Sequence, residues 1–218
     1  MDLRLRFGLP FRGARLSLRL SSRGISGLLA FFVPALIRWV PEAQFPYPIG
    51  YDTPHYLAAG MVYAESLHPF PLLYFVLARL YNIGVDPIYS MKVLPTILYG
   101  LFGFSTFLLA KRQFRWSNWK SLLLVFFVAF SPAMLRGSWD LNKQMLALVL
   151  FVSSLCLLDG LRRTVNIVFF VGFSVLVAMS HELVYGLMAA VQILLLLLNL
   201  LPLFKRESVD IAKISKRM

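Results

Sequence analysis

Long apolar runs separated by short polar segments are the dominant pattern of this chain. A helix needs about 20 mostly apolar residues to cross the hydrocarbon core of a bilayer. Six runs approach or reach that length, and they predict membrane spans at residues 24–40, 93–110, 121–135, 144–158, 165–180 and 183–204. The pattern therefore predicts an all-α fold, a polytopic transmembrane helix bundle of about six spans.

A further apolar run, residues 69–84, is short and carries Arg79 near its middle. Basic residues form four clusters between the apolar runs, namely Arg4 to Arg23, Lys111 to Lys120, Arg162 with Arg163, and Lys205 to Arg217. Lys and Arg are enriched in cytoplasmic loops, and all four clusters share one side only if residues 69–84 do not span. We therefore predict that residues 53–84 form amphipathic helices on the outer membrane surface, within an outer loop of residues 41–92.

This topology divides the chain into three parts. Residues 1–23 are a basic cytoplasmic N-terminus, residues 24–204 a transmembrane domain, and residues 205–218 a basic cytoplasmic tail. No small-residue cleavage site follows the first run, which favours an uncleaved anchor over a signal peptide, while an Arg-rich organelle transit peptide stays open as an alternative. We expect a multi-pass integral protein of the cell membrane with both termini cytoplasmic.

Composition agrees with a membrane protein. The chain is 59% hydrophobic and only 15% charged, which is more apolar surface than one soluble core of 218 residues could bury. The net charge of +12 does not indicate nucleic-acid binding, because the basic residues fall in short clusters between apolar runs and form no recognisable binding module. The single cysteine, Cys156, lies in an apolar run and predicts neither a disulfide framework nor a zinc site.

Ionisable residues gather on the predicted outer side. They come from the first outer loop, the loop around residues 136–143 and the junction at 181–182, and they are Asp52, His55, His68, Arg136, Asp140, Lys143, His181 and Glu182. Ionisable groups at membrane depth are costly and by default mark a functional site or a buried pair. Their convergence on one side favours a functional site.

Some of these residues also have a structural interpretation. Asp52 precedes a Thr-Pro pair, a favourable helix start, so its carboxylate is either a helix cap or a reacting group. Asp140 and Lys143 are three residues apart and could pair on one helix face. His55 could be an interfacial polar residue, and His68 stands in a predicted surface turn.

The set suits a reaction with a phosphate leaving group. Asp52 could take a proton from an attacking hydroxyl or hold a metal, with Asp140 as the second ligand of an oxygen-rich Mg or Mn site. The candidates for contacting a donor substrate and its phosphate are His55, Arg136, Lys143, His181 and Glu182. A substrate whose lipid tail stays in the membrane would place such a reaction at the bilayer surface.

A family resemblance supports this interpretation. The segment YPIGYDTPHYLAAG follows the first span, HPFPLLYFVLARLYNIG comes next, and LRGSWDLNKQMLAL forms the second outer loop. Together with the topology, these segments resemble the GT-C superfamily of membrane glycosyltransferases, which take a sugar from a polyprenyl or dolichyl phosphate carrier on the outer side. The resemblance implies that Asp52 is the key aspartate of the first outer loop. It also matches Asp140 to a metal-binding acid of oligosaccharyltransferase catalytic subunits, although Asn142 stands where those enzymes carry a second acid.

The sequence therefore predicts a membrane glycosyltransferase, or its N-terminal catalytic half, that uses a lipid-linked phospho-sugar donor. The resemblance covers residues 20–200, and family members have more spans, so the expected partners are membrane lipid and either a C-terminal half or a partner subunit, without nucleic acid. The alternatives are a non-catalytic membrane subunit of a larger complex and a transporter subunit. The transporter is less favoured because the chain shows no internal repeat.

Overall fold

The computed structural model describes residues 3–8, 15–20, 22–65, 71–158, 163–194 and 197. The described chain begins with a two-stranded antiparallel ribbon, β1 (Leu3–Gly8) and β2 (Arg15–Leu20). Helices form the rest of its regular structure, so the predicted all-α class is confirmed for the body of the protein. The predicted tail at residues 205–218 lies outside the described residues.

Two long helices form the centre of the fold. These are α1 (Ser22–Ala43) and α4 (Pro87–Arg112), about 33 and 39 Å long at 1.5 Å per residue, and both are long and apolar enough to cross a membrane. They pack directly against each other. Glycine allows this close approach, because a Cβ at Gly103 would collide with the backbone oxygen of Ala30.

Two short helices lie between them in sequence, as predicted for residues 53–84. They are α2 (Thr53–Ala64) and α3 (Leu72–Asn82), and residues 66–70 between them, including His68, lie outside the described part of the chain. The two helices pack on each other around a cluster of Tyr56, Leu73, Tyr74, Leu77 and Met91. Their position on the membrane surface stays a prediction.

The predicted span at 121–135 is divided by a bend. Helix α5 (Asn118–Ala129) and helix α6 (Pro132–Asp140) meet at an angle of 61°. Pro132 cannot donate a backbone hydrogen bond into the preceding helix and favours the first turn of a new one, so the helix stops before it. The bent pair counts as a third candidate span only if the two helices together cross the membrane.

The remaining helices are too short to confirm the other predicted spans. They are α7 (Asn142–Leu155), α8 (Thr164–Ser180) and α9 (Glu182–Leu194), with described lengths of about 20 to 26 Å against a hydrocarbon core of about 30 Å. Apart from residue 197, the part of the predicted span 183–204 that follows α9 lies outside the described residues. Side chains of all three helices share one apolar cluster that includes Ala147, Val177 and Met188. By helix length and composition, the described residues hold two candidate spans, or three with the bent pair, and the prediction of six is not confirmed.

The two ends of the helical body carry different polar residues. At one end, the turn after α4 carries Lys111, Arg112 and Arg115, and Gln113 Nε2 donates to Leu155 O at the end of α7 over 2.8 Å. We call this the basic end. The opposite end, which we call the Asp52 end, gathers the end of α1, the loop at 44–52, the start of α7 and the junction of α8 with α9. Many large apolar side chains between the two ends are exposed, among them Phe32, Leu123, Phe127, Val168 and Phe169, which is compatible with a membrane protein.

Candidate functional site

A buried ion pair anchors the loop that carries Asp52. Arg38 and Glu42, one turn apart near the end of α1, form a salt bridge in which both side chains are at most 1% exposed. Glu42 Oε1 accepts a hydrogen bond from Ile49 N over 2.8 Å, and Arg38 Nε donates to Ser138 O over 3.2 Å. The pair thus joins α1, the following loop and α6. Our sequence interpretation missed it, although opposite charges four residues apart in an apolar run are a recognisable signal.

The two predicted outer loops meet directly. Tyr51 N donates to Asp140 Oδ1 over 2.9 Å, which links the first loop to the end of α6. Gly50 makes the contact possible, because its φ is +132° and a Cβ there would collide with the backbone oxygen of Trp139. The two loops therefore contact each other in the described structure, while their placement on the outer side of the membrane stays a prediction.

Asp140 pairs with Arg136 rather than with Lys143. Arg136 Nε donates to Asp140 Oδ2 over 3.4 Å, while α6 ends at Asp140 and Leu141 has non-helical φ and ψ of −112° and 55°. The i, i+3 geometry that would join Asp140 and Lys143 requires a continuous helix. The predicted pair is therefore absent because the helix breaks between its two members.

Asp52 occupies the N-cap position of α2 but does not cap it. Its φ and ψ are −85° and −3°, and its side chain makes no capping hydrogen bond. An N-cap side chain normally works from the extended region, so the geometry explains the missing bond. The half-buried carboxylate is close enough to Tyr56 and Tyr74 that its charge raises the pKa of both phenols, after the larger effect of burial.

Aromatic side chains connect Asp52 with the start of α7. Tyr74 Oη lies 3.0 Å from His55 Nε2, and the ammonium of Lys143 lies 5.4 Å from the centre of the Tyr74 ring. Burial raises the pKa of Tyr56 to about 12, although hydrogen bonds from the backbone N–H groups of Lys143 and Asn142 act in the opposite direction. Tyr56 is therefore a neutral phenol fitted against the N-terminus of α7.

The junction between α8 and α9 adds two more predicted residues. His181 separates the helices in an extended conformation and is buried, and its Nδ1 has no hydrogen-bond partner within the described residues. Glu182 is exposed, and a hydrogen bond from its own backbone N–H lowers its pKa, with smaller effects from the charges of His181 and Lys143. Lys143 is thus the link between the tyrosines and this junction.

Asn142 is a site residue that sequence reasoning did not identify as one. It starts α7, is 1% exposed, and neither its amide nitrogen nor its amide oxygen has a partner among the described residues. A buried unsatisfied amide is unusual in native proteins and needs a reason, such as a bound ligand or water. In the sequence the residue was noted only because the family that the chain resembles carries an acid at this position.

The donor set does not suit the predicted divalent metal. Within the described part of the chain, no three His, Cys, Asp or Glu side chains are close enough to hold an ion. Both oxygens of Asp140 already accept hydrogen bonds, from Tyr51 and Arg136. That leaves Asp52 as a single carboxylate, whereas Mg²⁺ and Mn²⁺ sites need several oxygen ligands.

The predicted site residues thus fall into two neighbouring groups. One group holds Asp140 with Arg136 against the loop before Asp52. The other runs from Asp52 and His55 through the tyrosines to Lys143, His181 and Glu182. Together they offer a carboxylate not used as a cap, a phenol cluster, a cation and the N-terminus of a helix.

Comparison with known proteins adds no assignment. No protein family, curated protein or solved structure matches this chain. The resemblance to GT-C glycosyltransferases stays a prediction based on the segments named above.

Proposed function

We propose that this protein is a membrane glycosyltransferase that takes a sugar from a polyprenyl-phosphate carrier at the Asp52 end of its helices. The observation that carries the proposal is that Asp52, whose carboxylate does not cap α2, and the cation Lys143 both lie near Tyr74, at one end of an apolar helical body. A carboxylate can act as a general base, and a cation can bind a phosphate.

Asp52 is the proposed general base. In the transfer, the acceptor hydroxyl attacks the anomeric carbon while the bond from that carbon to the phosphate oxygen breaks. The hydroxyl proton passes to the Asp52 carboxylate, and the electron pair of the broken bond stays on the lipid phosphate. Because the side chain of Asp52 makes no bond to the helix it precedes, it can accept this proton without destabilising α2.

The start of α7 is the proposed phosphate contact. Lys143 stands in its first turn, and the N–H groups of Asn142 and Lys143 already interact with the phenol oxygen of Tyr56. The dipole of α7 favours an anion at this terminus, where Lys143 adds a positive charge. The buried Nδ1 of His181 and the amide of Asn142, which have no partner within the described residues, can donate further hydrogen bonds to a phosphate.

The orientation follows from charge. Lys111, Arg112 and Arg115 lie at the basic end, and clustered Lys and Arg next to spans favour the cytoplasmic side. The Asp52 end then faces outward, where the apolar faces of the helices can accompany the lipid tail of a carrier. His55, bonded to Tyr74, belongs to the same end and is the proposed contact for the sugar.

A matched pair of aspartate variants tests the proposal. Asp86 is the control because it caps α4 by accepting from Tyr89 N over 2.7 Å, and asparagine caps helices as well as aspartate does. Purified protein in lipid should transfer sugar from a polyprenyl-phosphate hexose to water or an added glycan, and Asp52→Asn should lower the rate at least 100-fold with Asp86→Asn unchanged. Lys143→Gln should weaken saturable donor binding.

The outcomes separate the hypotheses. Full activity of Asp52→Asn would eliminate the role of Asp52 as the base. A wild-type protein that binds no phospho-sugar donor and transfers no sugar would favour the non-catalytic subunit instead.

A further inference from the structure

A cavity lies at the basic end, at the opposite end of the helices from Asp52. It is a groove of about 870 Å³ between α1 and α4, within the usual size range of ligand sites. Its walls are apolar and include Gly27, Phe31, Leu101 and Phe104. A substrate site at the other end of the helices does not explain this groove.

The mouth of the groove is strongly basic. Lys111, Arg112 and Arg115 line it together with Trp116, and no acidic side chain lies among the described residues that line it. The change from apolar wall to basic rim takes place within the last turn of α4. Tryptophan and basic residues at a helix end are typical of the level of the lipid headgroups.

The dimensions match one leaflet of a bilayer. From Lys111 at the rim to Leu101 in the wall, α4 advances about 15 Å, which is half of a hydrocarbon core of about 30 Å. A groove of this depth can hold an acyl chain while its rim contacts the headgroup.

The backbone at Arg115 gives an independent reason to assign a role to the rim. Its φ is +53°, the left-handed region that favours glycine at the end of a helix. The turn is held by hydrogen bonds from Trp116 N to Ala110 O over 3.2 Å and from Lys111 Nζ to Trp116 O over 2.9 Å. Arginine here is strained where glycine would not be, so the side chain must contribute something that glycine cannot.

We propose that the groove between α1 and α4 binds an anionic phospholipid of the membrane, with an acyl chain between the helices and the phosphate on Arg115 and Lys111. This proposal does not depend on the glycosyltransferase function, because it concerns the opposite end of the helices. Charge complementarity selects the occupant, since a zwitterionic lipid would leave the three cations of the rim without a net counter-charge.

Phosphatidylglycerol is the probe, with phosphatidylcholine as its zwitterionic control. The full chain in detergent should bind phosphatidylglycerol more tightly, measured by fluorescent-lipid titration, and its melting temperature should rise with that lipid. Arg115→Gly should weaken phosphatidylglycerol binding about fivefold while raising the melting temperature of the lipid-free protein. Lys120→Gln is the matched control, because Lys120 is an exposed basic residue of α5 that does not line the groove.

A second variant tests the apolar part. Leu28→Trp adds volume to a half-exposed wall residue and should reduce binding of both lipids without changing the preference for the anionic one. Equal binding of the two lipids by the wild type, or unchanged phosphatidylglycerol binding in Arg115→Gly, would overturn the proposal. Absence of any lipid-induced shift in melting temperature would also overturn it.

Discussion

Two arginine–carboxylate pairs with the same spacing provide a controlled test of burial in this fold. Arg38 and Glu42 are 1% and 0% exposed, whereas Arg136 and Asp140 are 85% and 23% exposed. Both pairs are i, i+4 on a helix, so sequence spacing predicts equal contributions for them. Their surroundings predict very different contributions to stability, because one pair is buried and the other is exposed to solvent.

Replacing each arginine by methionine should separate the two pairs. Arg38→Met leaves the Glu42 carboxylate buried without its cation, which should lower the free energy of unfolding by about 3–5 kcal/mol. It also leaves the Ser138 carbonyl without the donor that Arg38 supplied. Arg136→Met removes a solvent-screened pair and should change stability by about 0–1 kcal/mol.

A double variant shows whether the buried charge is the cause. Arg38→Met with Glu42→Gln removes both charges, and the glutamine oxygen can still accept from Ile49 N. It should recover about half or more of the stability lost in Arg38→Met, because no uncompensated ion remains in the interior.

The assay is reversible unfolding in mixed micelles with increasing SDS, followed by far-UV circular dichroism. A difference of about 3 kcal/mol between the two arginine variants corresponds to about 150-fold in the unfolding equilibrium constant, which shifted midpoints resolve easily. Arg38→Met within about 1 kcal/mol of Arg136→Met would refute the reasoning. A double variant as unstable as Arg38→Met would also refute it, by showing that lost packing rather than bare charge is responsible.

Four further predictions concern single residues. Asp86→Ala should destabilise the protein by about 1 kcal/mol through loss of the α4 cap, whereas Asp52→Ala should have little effect on SDS unfolding. The raised pKa of Tyr56, about 12, implies stability that is complete below pH 10 and lost as the pH rises toward 12, so Tyr56→Phe should flatten the alkaline fall in melting temperature. Tyr81→Phe should stabilise the protein slightly at pH 7, because the buried Tyr81 hydroxyl has no partner within the described residues. Gly50→Ala should lower stability by at least about 1–3 kcal/mol and displace the Asp52 loop, and an unchanged melting temperature would contradict its assigned φ.

Hydropathy located the helices but not their ends. Each predicted apolar run overlaps a described helix, because burial in lipid or in protein requires the same residue types. The run at 121–135 shows the limit, since apolar residues stand on both sides of Ser131 and Pro132, where the chain bends by 61°. The number of membrane spans depends on such helix breaks. Local backbone chemistry, rather than composition, determines where they occur.

The proximity of the two loops of the candidate site agrees with the order of the apolar runs. Placing Asp52 and Asp140 on one side required only the alternation of the apolar runs, and the described structure brings their two loops together. The contact itself could not be predicted, because Tyr51 makes it with a backbone N–H that every residue except proline possesses. The expected pairing of Asp140 with Lys143 failed for a related reason, since a single non-helical residue, Leu141, changes which neighbours face each other.

The hydrogen bonds of the Arg38–Glu42 pair explain why charged residues occupy a buried position where apolar residues would give equal stability. Two apolar side chains of similar volume can match or exceed a buried ion pair in stability, so stability alone gives no reason for charges here. Apolar side chains could not accept from Ile49 N or donate to Ser138 O. Those two bonds bring the loop before Asp52 to the end of α6, where Tyr51 N meets Asp140. The two charged residues therefore act mainly by positioning the loop rather than by adding stability. They determine where Asp52 lies relative to the second outer loop.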